Sequence, residues 1–357
     1  MQWTAPIRDH SVQTTVNRPG SDVSLPTSAG APLVLPDPVV AMQRDRRGAK
    51  LSIIAPMHNE SEVLDAFFAR IEQTIADLGI EAEILCVDDG SRDDTLAKLL
   101  ERARQDRRVK VVGLARNFGK EAALTAGMDA ATGDMVVPID ADLQDPPELI
   151  AEFILLWERG FDVVYGVRAD RSSDSFVKRF TANLFYKVFN RVSDLNIPMS
   201  AGDFRLMDRR VVEAVKALPE RNRFMKGLFA WVGFAQVGVP YVRPPRAAGT
   251  SSFGYLKLLR FALDGITSFS TVPLRVWTVL GLCAALLAFG AAGALIVRVI
   301  VVGREVPGYA SLMVAVLLGF AVQMLAFGVL GEYVGRLYQE VKGRPIYIVS
   351  RRAGFED

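Results

Sequence analysis

Apolar runs and four-spaced apolar positions alternate along residues 51–142. The run "LSIIAP" (51–56) closes on proline, as a buried strand does. After Asn59 the apolar positions Val63, Phe67, Ile71 and Ile75 recur on one helical face. "AEILCVDDG" (82–90) predicts a second strand, and "SRDDTLAKLLERARQ" a second helix with Ser91 or Asp93 as its N-cap. "VKVVGLA", "GKEAALTAGMDAATG" and "DMVVPIDAD" continue as strand, helix and strand. This alternation predicts an α/β domain with a mainly parallel sheet and helices on both faces. Ligands of such sheets bind beyond the carboxyl ends of the strands. The polar clusters lie there: "PMHNE", "DDGS", "RNFGKE" and "DADLQD". One Asp-Gly turn is often only a turn, but four polar clusters at four consecutive strand ends mark a site.

The pattern changes after residue 274. Residues 276–302 are apolar apart from Arg298, "GREVPG" (303–308) breaks the run, and 309–335 return as a second apolar stretch. Each exceeds the roughly 30 Å hydrocarbon core at about 1.5 Å per residue, which predicts a transmembrane helical hairpin within 275–337. Arg275 precedes it, and Arg336, Lys342, Arg344, Arg351 and Arg352 follow. The positive-inside rule then puts the α/β domain and the 338–357 tail in the cytoplasm, on a multi-pass protein of the inner membrane. Between domain and hairpin, residues 251–274 combine Leu and Phe with Lys257 and Arg260, the pattern of an interfacial amphipathic helix. Gly290, Gly293, Gly319 and Gly328 would let helices of a homo-oligomer approach closely.

Composition adds exclusions. Residues 1–48 are rich in Pro, Ser, Thr and Gly and read as a disordered tail ahead of a domain over 49–250. The 42 basic residues nearly balance the 40 acidic ones, so nucleic acid is not an expected partner. Cys86 and Cys283, the only cysteines, fall in different segments and do not read as a disulfide.

Asp140, Asp142 and Asp145 stand close in sequence, and clustered carboxylates repel unless a positive charge lies between them. In a continuing strand Asp140 and Asp142 would share a face. Hard oxygen ligands of this kind suit Mg²⁺ or Mn²⁺ carried with a nucleotide diphosphate, and there is no His/Cys set for zinc.

The series "PMHNE", "VDDGSRDDT", "LARNFGKEAAL" and "DADLQDPPE" resembles the inverting family-2 glycosyltransferases of GT-A fold. More narrowly it is similar to the polyprenyl-phosphate glycosyltransferases, from about residue 50 to the end. The resemblance implies transfer of a sugar from a nucleotide-sugar, UDP-glucose first and GDP-mannose or another UDP-sugar behind, to undecaprenyl phosphate. It implies nucleotide contacts at Pro56, His58, Glu60, Asp88, Asp89, Lys120, Asp140 and Ala141, and Asp140, Asp142 and Gln144 around the metal. Asp203, Asp142 and Arg205 would form the catalytic set. Arg205, Arg243, Arg246 and Ser251 would bind the acceptor phosphate. Two positions depart from the family pattern: His58 replaces an aromatic residue, and Ser252 stands where a lysine commonly follows the serine. A processive polysaccharide synthase would need more spanning helices and a Gln-x-x-Arg-Trp motif. A non-enzymatic membrane scaffold would not need Asp140, Asp142 and Asp203 intact.

Overall fold

The computed structural model describes residues 44–168, 201–221, 223–242, 272–302 and 308–355. Residues 1–43, Arg243, Arg246, Ser251, Ser252, Lys257, nearly all of the expected interfacial helix and most of the "GREVPG" break lie outside them.

Eight strands form one sheet in the order β7-β5-β6-β4-β1-β2-β3-β8. They are β1 (Lys50–Met57), β2 (Glu81–Asp88), β3 (Val109–Leu114), β4 (Met135–Pro138), β5 (Val163–Arg168), β6 (Ala201–Asp208), β7 (Gln236–Tyr241) and β8 (Val349–Ala353). β1, β2, β3 and β4 run parallel, as the alternation predicts, and β5 is parallel to β7. β6 is antiparallel to β4 and β5, and β8 is antiparallel to β3, so the sheet is mixed.

The helices are α1 (Leu64–Leu78), α2 (Thr95–Gln105), α3 (Lys120–Ala130), α4 (Ile150–Glu158), α5 (Arg209–Ala217), α6 (Met225–Trp231), α7 (Val272–Val302) and α8 (Tyr309–Val341). Successive strand residues face opposite sides, so Ile53 joins a core with Phe67, Leu99 and Phe153 of α1, α2 and α4. Its neighbour Ile54 joins the other core, with Leu124 of α3, Val211 of α5 and Phe229 of α6. α3 lies so close to the sheet that a Cβ on Gly127 would meet Ile54 Cγ2 at 2.3 Å.

Several boundaries differ from the sequence expectation. The first described residue, Arg44, already belongs to the domain, its guanidinium 2.5 Å from Asp162 and 3.4 Å from Asp208. α2 starts at Thr95 after Asp94; Asp93 accepts from Thr95 N, while Ser91 Oγ accepts from Asn59 N and caps nothing. β4 stops at Pro138, so Asp140 and Asp142 do not share a strand face: Asp142 Oδ1 accepts from Gln144 N, and Leu143 turns left-handed at φ 54°. α8 runs six residues past the expected 335, because its polar last turn is held by the catalytic domain, where Glu340 accepts from Arg221 N at 3.0 Å. The expected C-terminal tail instead supplies β8 to the catalytic sheet. Among the described residues, one stretch, Leu318–Val341, is long and apolar enough to cross a membrane, with mean hydropathy 1.4 and none of it buried.

Glu83 stitches the sheet at the amino ends of its strands. Only 2% exposed, it accepts from Ser52 Oγ, Lys110 Nζ, Thr132 N and Thr132 Oγ1 at 2.6–2.9 Å. Burial by itself raises its pKa, but the bonds from Lys110, Ser52 and Thr132 together outweigh it and bring the value from 4.5 to about 2. A lowered carboxylate pKa stabilises the fold above the unfolded value, and the gain is lost as pH falls through the folded one. Denaturant unfolding should therefore show wild-type stability falling between about pH 4.5 and 2, with Glu83→Gln weaker by on the order of 2–3 kcal/mol at neutral pH and flatter across that window. Equal stability at pH 7 would remove Glu83 from this role.

Candidate active site

The parallel strands end level with one another. Met57 pairs with Asp88, and Asp89 N donates to Met57 O at 2.8 Å. Beyond this edge lies a cavity of about 330 Å³ lined from all four strand ends. Pro56 lies near the end of β1 and His58 and Glu60 follow that strand, Asp89 follows β2, Asn117, Gly119 and Lys120 follow β3, and Asp140, Ala141 and Asp142 follow β4.

The loops are locked before any ligand arrives. Asn59, left-handed at φ 56°, donates its N–H to Ser91 Oγ and accepts from Arg92 N. Its amide is thereby oriented with Nδ2 toward His58 Nε2, 3.2 Å away. His58 Nδ1 faces the carbonyl oxygen of Asp89 at 2.9 Å, so Nδ1 carries the proton and Nε2 accepts. This histidine joins two loops while also lining the cavity. Asp89 lines the cavity, yet its two oxygens accept from Phe118 N and Gly119 N at 2.7 and 2.9 Å. It shapes the turn that launches α3. The two loops touch where Gly90 passes Arg116; a Cβ there would lie 2.4 Å from backbone. Asp88 is 1% exposed and lies behind the cavity wall, with Oδ1 enclosed and without a hydrogen-bond partner.

β6 brings the fifth component. Its antiparallel register with β4 pairs Met135 with Asp208 and Val136 with Met207, so the preceding part of β6, with Asp203, runs toward the loop after Pro138 that carries Asp140. Lys120, at the start of α3, bridges them: Nζ is 2.7 Å from Asp140 Oδ1 and 2.8 Å from Asp203 Oδ2. Burial raises the Asp203 pKa, but the charges of Lys120 and Lys226 reverse this and hold it well below the carboxylate range. Burial likewise lowers Lys120, and Asp203 and Asp140 overturn that, so its ammonium is locked on. Part of the positive charge that the aspartate cluster requires is thus a lysine of the chain.

The other predicted residues separate. Asp145 is buried and accepts from Tyr241 Oη at 2.5 Å, away from the cavity. Gln144 is buried beside Asp142 and does not line the cavity. Arg205 is 4% exposed, donates to Gly202 O at 2.7 Å and stacks on Phe229 with its guanidinium carbon 4.1 Å from the ring centre. Burial brings its pKa down to about 10. It supports the Asp203 strand from behind instead of lining the cavity. Glu121, which the sequence reading did not single out, joins the cluster with Oε2 enclosed and unpartnered. An acid in a first helical turn suits the helix dipole, so its residue type and position carry no local signal of a site role.

Asp140 and Asp142 both open onto the cavity, while no three His, Cys, Asp or Glu among the described residues are grouped to hold a metal ion unaided. Two carboxylates fit a hard cation that takes its remaining ligands from a diphosphate and water. They do not fit a self-contained tetrahedral centre.

Residues 52–216 match the protein family described as glycosyl transferase family 2. An uncharacterized glycosyltransferase of Synechocystis sp. is 54% identical over 307 residues, covering 86% of this chain and 96% of that one. A prophage-derived bactoprenol glucosyl transferase of Shigella flexneri is 48% identical over 302 residues, covering 85% and 98%. The chain belongs to glycosyltransferase family 2, among the polyprenyl-phosphate glycosyltransferases. A prophage bactoprenol glucosyl transferase homolog of Escherichia coli K12 matches at 47% over 302 residues, covering 85% and 99%. The family expectation drawn from the strand-end motifs is met, and its mixed α/β sheet is the one described above.

Glu121 gives the site a pH signature. Burial and then the charge of Asp203 raise its pKa from 4.5 to about 8, with Lys120 and Lys226 opposing. A carboxyl raised on folding favours the native state while protonated, so its contribution is full below the unfolded value and is lost as pH rises through the folded one. Thermal melting should therefore show wild type losing stability between about pH 4.5 and 8 relative to Glu121→Gln, the gap widest at pH 8. A pH-independent difference would show that Glu121 does not titrate in this range.

Proposed function

We propose that the protein transfers one sugar, with inversion, from a nucleotide-sugar to polyprenyl phosphate at the cytoplasmic face of the membrane. UDP-glucose and undecaprenyl phosphate are the lead pair, and the product is a polyprenyl-monophosphate sugar. One observation carries the reading: Lys120 joins Asp140 and Asp203 at the mouth of a cavity built from four strand ends. The names of the Shigella and Escherichia relatives supply the acceptor class and the sugar.

The chemistry follows from charge. A phosphate monoester is already anionic near neutral pH, so the nucleophile needs little help from a base. Asp203, held far below the carboxylate range, is a weak base and fits orienting sugar or acceptor. The acceptor oxygen forms a bond to the anomeric carbon as the bond to the nucleotide diphosphate breaks on the opposite face. Lys120 offsets negative charge on that leaving side while remaining tied to Asp203. A divalent cation held by Asp140 and Asp142 would act as Lewis acid on the diphosphate. Catalysis then rests on positioning two anions and stabilising the one that leaves.

The sheet supports the membrane reading. β7 precedes α7 and α8, β8 follows them, and both belong to one sheet. The intervening helices must leave and return on the same side, which fits an even number of crossings. At about 1.5 Å per residue the two helices are roughly 46 and 50 Å long, ample for a hairpin through a bilayer. Lys342 and Arg344 follow α8 on the catalytic side, where the positive-inside rule puts cytoplasm.

Full-length protein with Mn²⁺ and undecaprenyl phosphate, offered labelled nucleotide-sugars in turn, should give most lipid-linked product from UDP-glucose. GDP-mannose or another UDP-sugar leading instead would change the donor, and no lipid-linked product from any would end the acceptor reading. Asp142→Asn should lower turnover roughly a hundredfold or more with unchanged melting. Full turnover of wild type in EDTA would remove the metal.

A further inference from the structure

The segment "RFMKGLFAW" (223–231), which contains α6, holds none of the residues assigned above to donor, acceptor or metal. α6 nevertheless packs behind the reacting cluster: Met225, Leu228 and Phe229 share a core with Met207 of β6, and the Phe229 ring carries the Arg205 guanidinium. Glu121 adjoins Lys120 in sequence, and Arg205 lies two residues from Asp203 on β6. Lys226, three residues before Phe229 on α6, therefore lies on the same side of the sheet as Arg205 and Asp203, opposite α1 and α2.

Its environment is unusual for a structural lysine. Lys226 is half-buried, yet its ammonium makes no ion pair or hydrogen bond among the described residues. After burial and Lys120, it is the next influence on Asp203. A lysine present only to neutralise Glu121 would touch that carboxyl and hold it ionised, whereas Glu121 is pushed up to about 8. The nucleotide cavity reaches Lys120 but does not include Lys226. Two lysines thus serve Asp203, one inside the donor cavity and one outside it.

We propose that Lys226 is a phosphate-binding residue of the acceptor side, its ammonium receiving the monoester phosphate of polyprenyl phosphate next to Asp203. The assignment rests on the acceptor reading given above. A lysine is a compact charge on a flexible stem, suited to a phosphate that must arrive from a lipid surface. With Asp203 ionised, an approaching phosphate meets a like charge, and Lys226 is the unpaired cation placed to offset it. The donor diphosphate is the other possible anion; the absence of Lys226 from the cavity lining favours the acceptor.

Calorimetry on the nucleotide-free, full-length protein in detergent separates the sources, with citronellyl phosphate as the acceptor probe and UDP as the donor probe. Lys226→Gln should weaken citronellyl phosphate about tenfold or more and leave UDP within about twofold, and Lys226→Arg should recover most of the loss. Unchanged citronellyl phosphate binding in Lys226→Gln, with wild type binding well, would overturn the assignment and leave the acceptor reading standing. Equal weakening of UDP would move Lys226 to the donor side. Loss in both variants together with lowered melting temperatures would make it a structural residue. Wild type that binds UDP but not citronellyl phosphate would overturn the acceptor reading, and this assignment with it.

Discussion

The pairing of one ammonium with two carboxylates from distant parts of the chain organises this molecule. Lys120, Asp140 and Asp203 come from the turn after β3, the turn after β4 and the start of β6. They meet because β4 stops early and β6 returns antiparallel beside it. Bringing two acidic groups to one rim would be unfavourable without the lysine, whose ammonium pairs with both while its side chain stays 41% exposed. Each element that aims them, from Asp89 bracing the α3 turn to Arg205 stacked behind β6, maintains that geometry.

A cluster with this much fixed charge divides its labour by environment. Asp203 is stabilised as an anion and Glu121 is disfavoured as one, although both lie around the same lysine. The difference is access to compensation: Asp203 receives the ammonium directly, while one Glu121 oxygen is enclosed without a partner. Two carboxyls of similar intrinsic acidity thereby acquire different protonation at neutral pH.

The four parallel strands and the polar motifs at their ends were legible in the sequence, because buried β-branched runs and strand-end acids are local signals. "LSIIAP" and "AEILCVDDG" carry their own strand pattern. The roles within the motifs were less legible. Nothing local distinguishes an Asp89 that braces a turn from one that faces a ligand; the difference lies in hydrogen bonds to residues about thirty positions away. β6 and β8 were missed for a related reason. An antiparallel return and a strand contributed by the chain's end are set by long-range pairing, as where Ser350 bonds Gly113 across 237 residues. The early stop of β4 follows from the Asx-type turn at Asp142, which alternation through Asp140 and Asp142 cannot reveal.

That last strand has a consequence for how the protein is made. β3 is synthesised some 237 residues before β8, and its edge stays unpaired until that strand has been made. In the interval α7 and α8 are made, so the catalytic sheet closes only after both long helices exist. Until then an open sheet edge and the apolar stretch Leu318–Val341 belong to one unfinished chain, a combination prone to association.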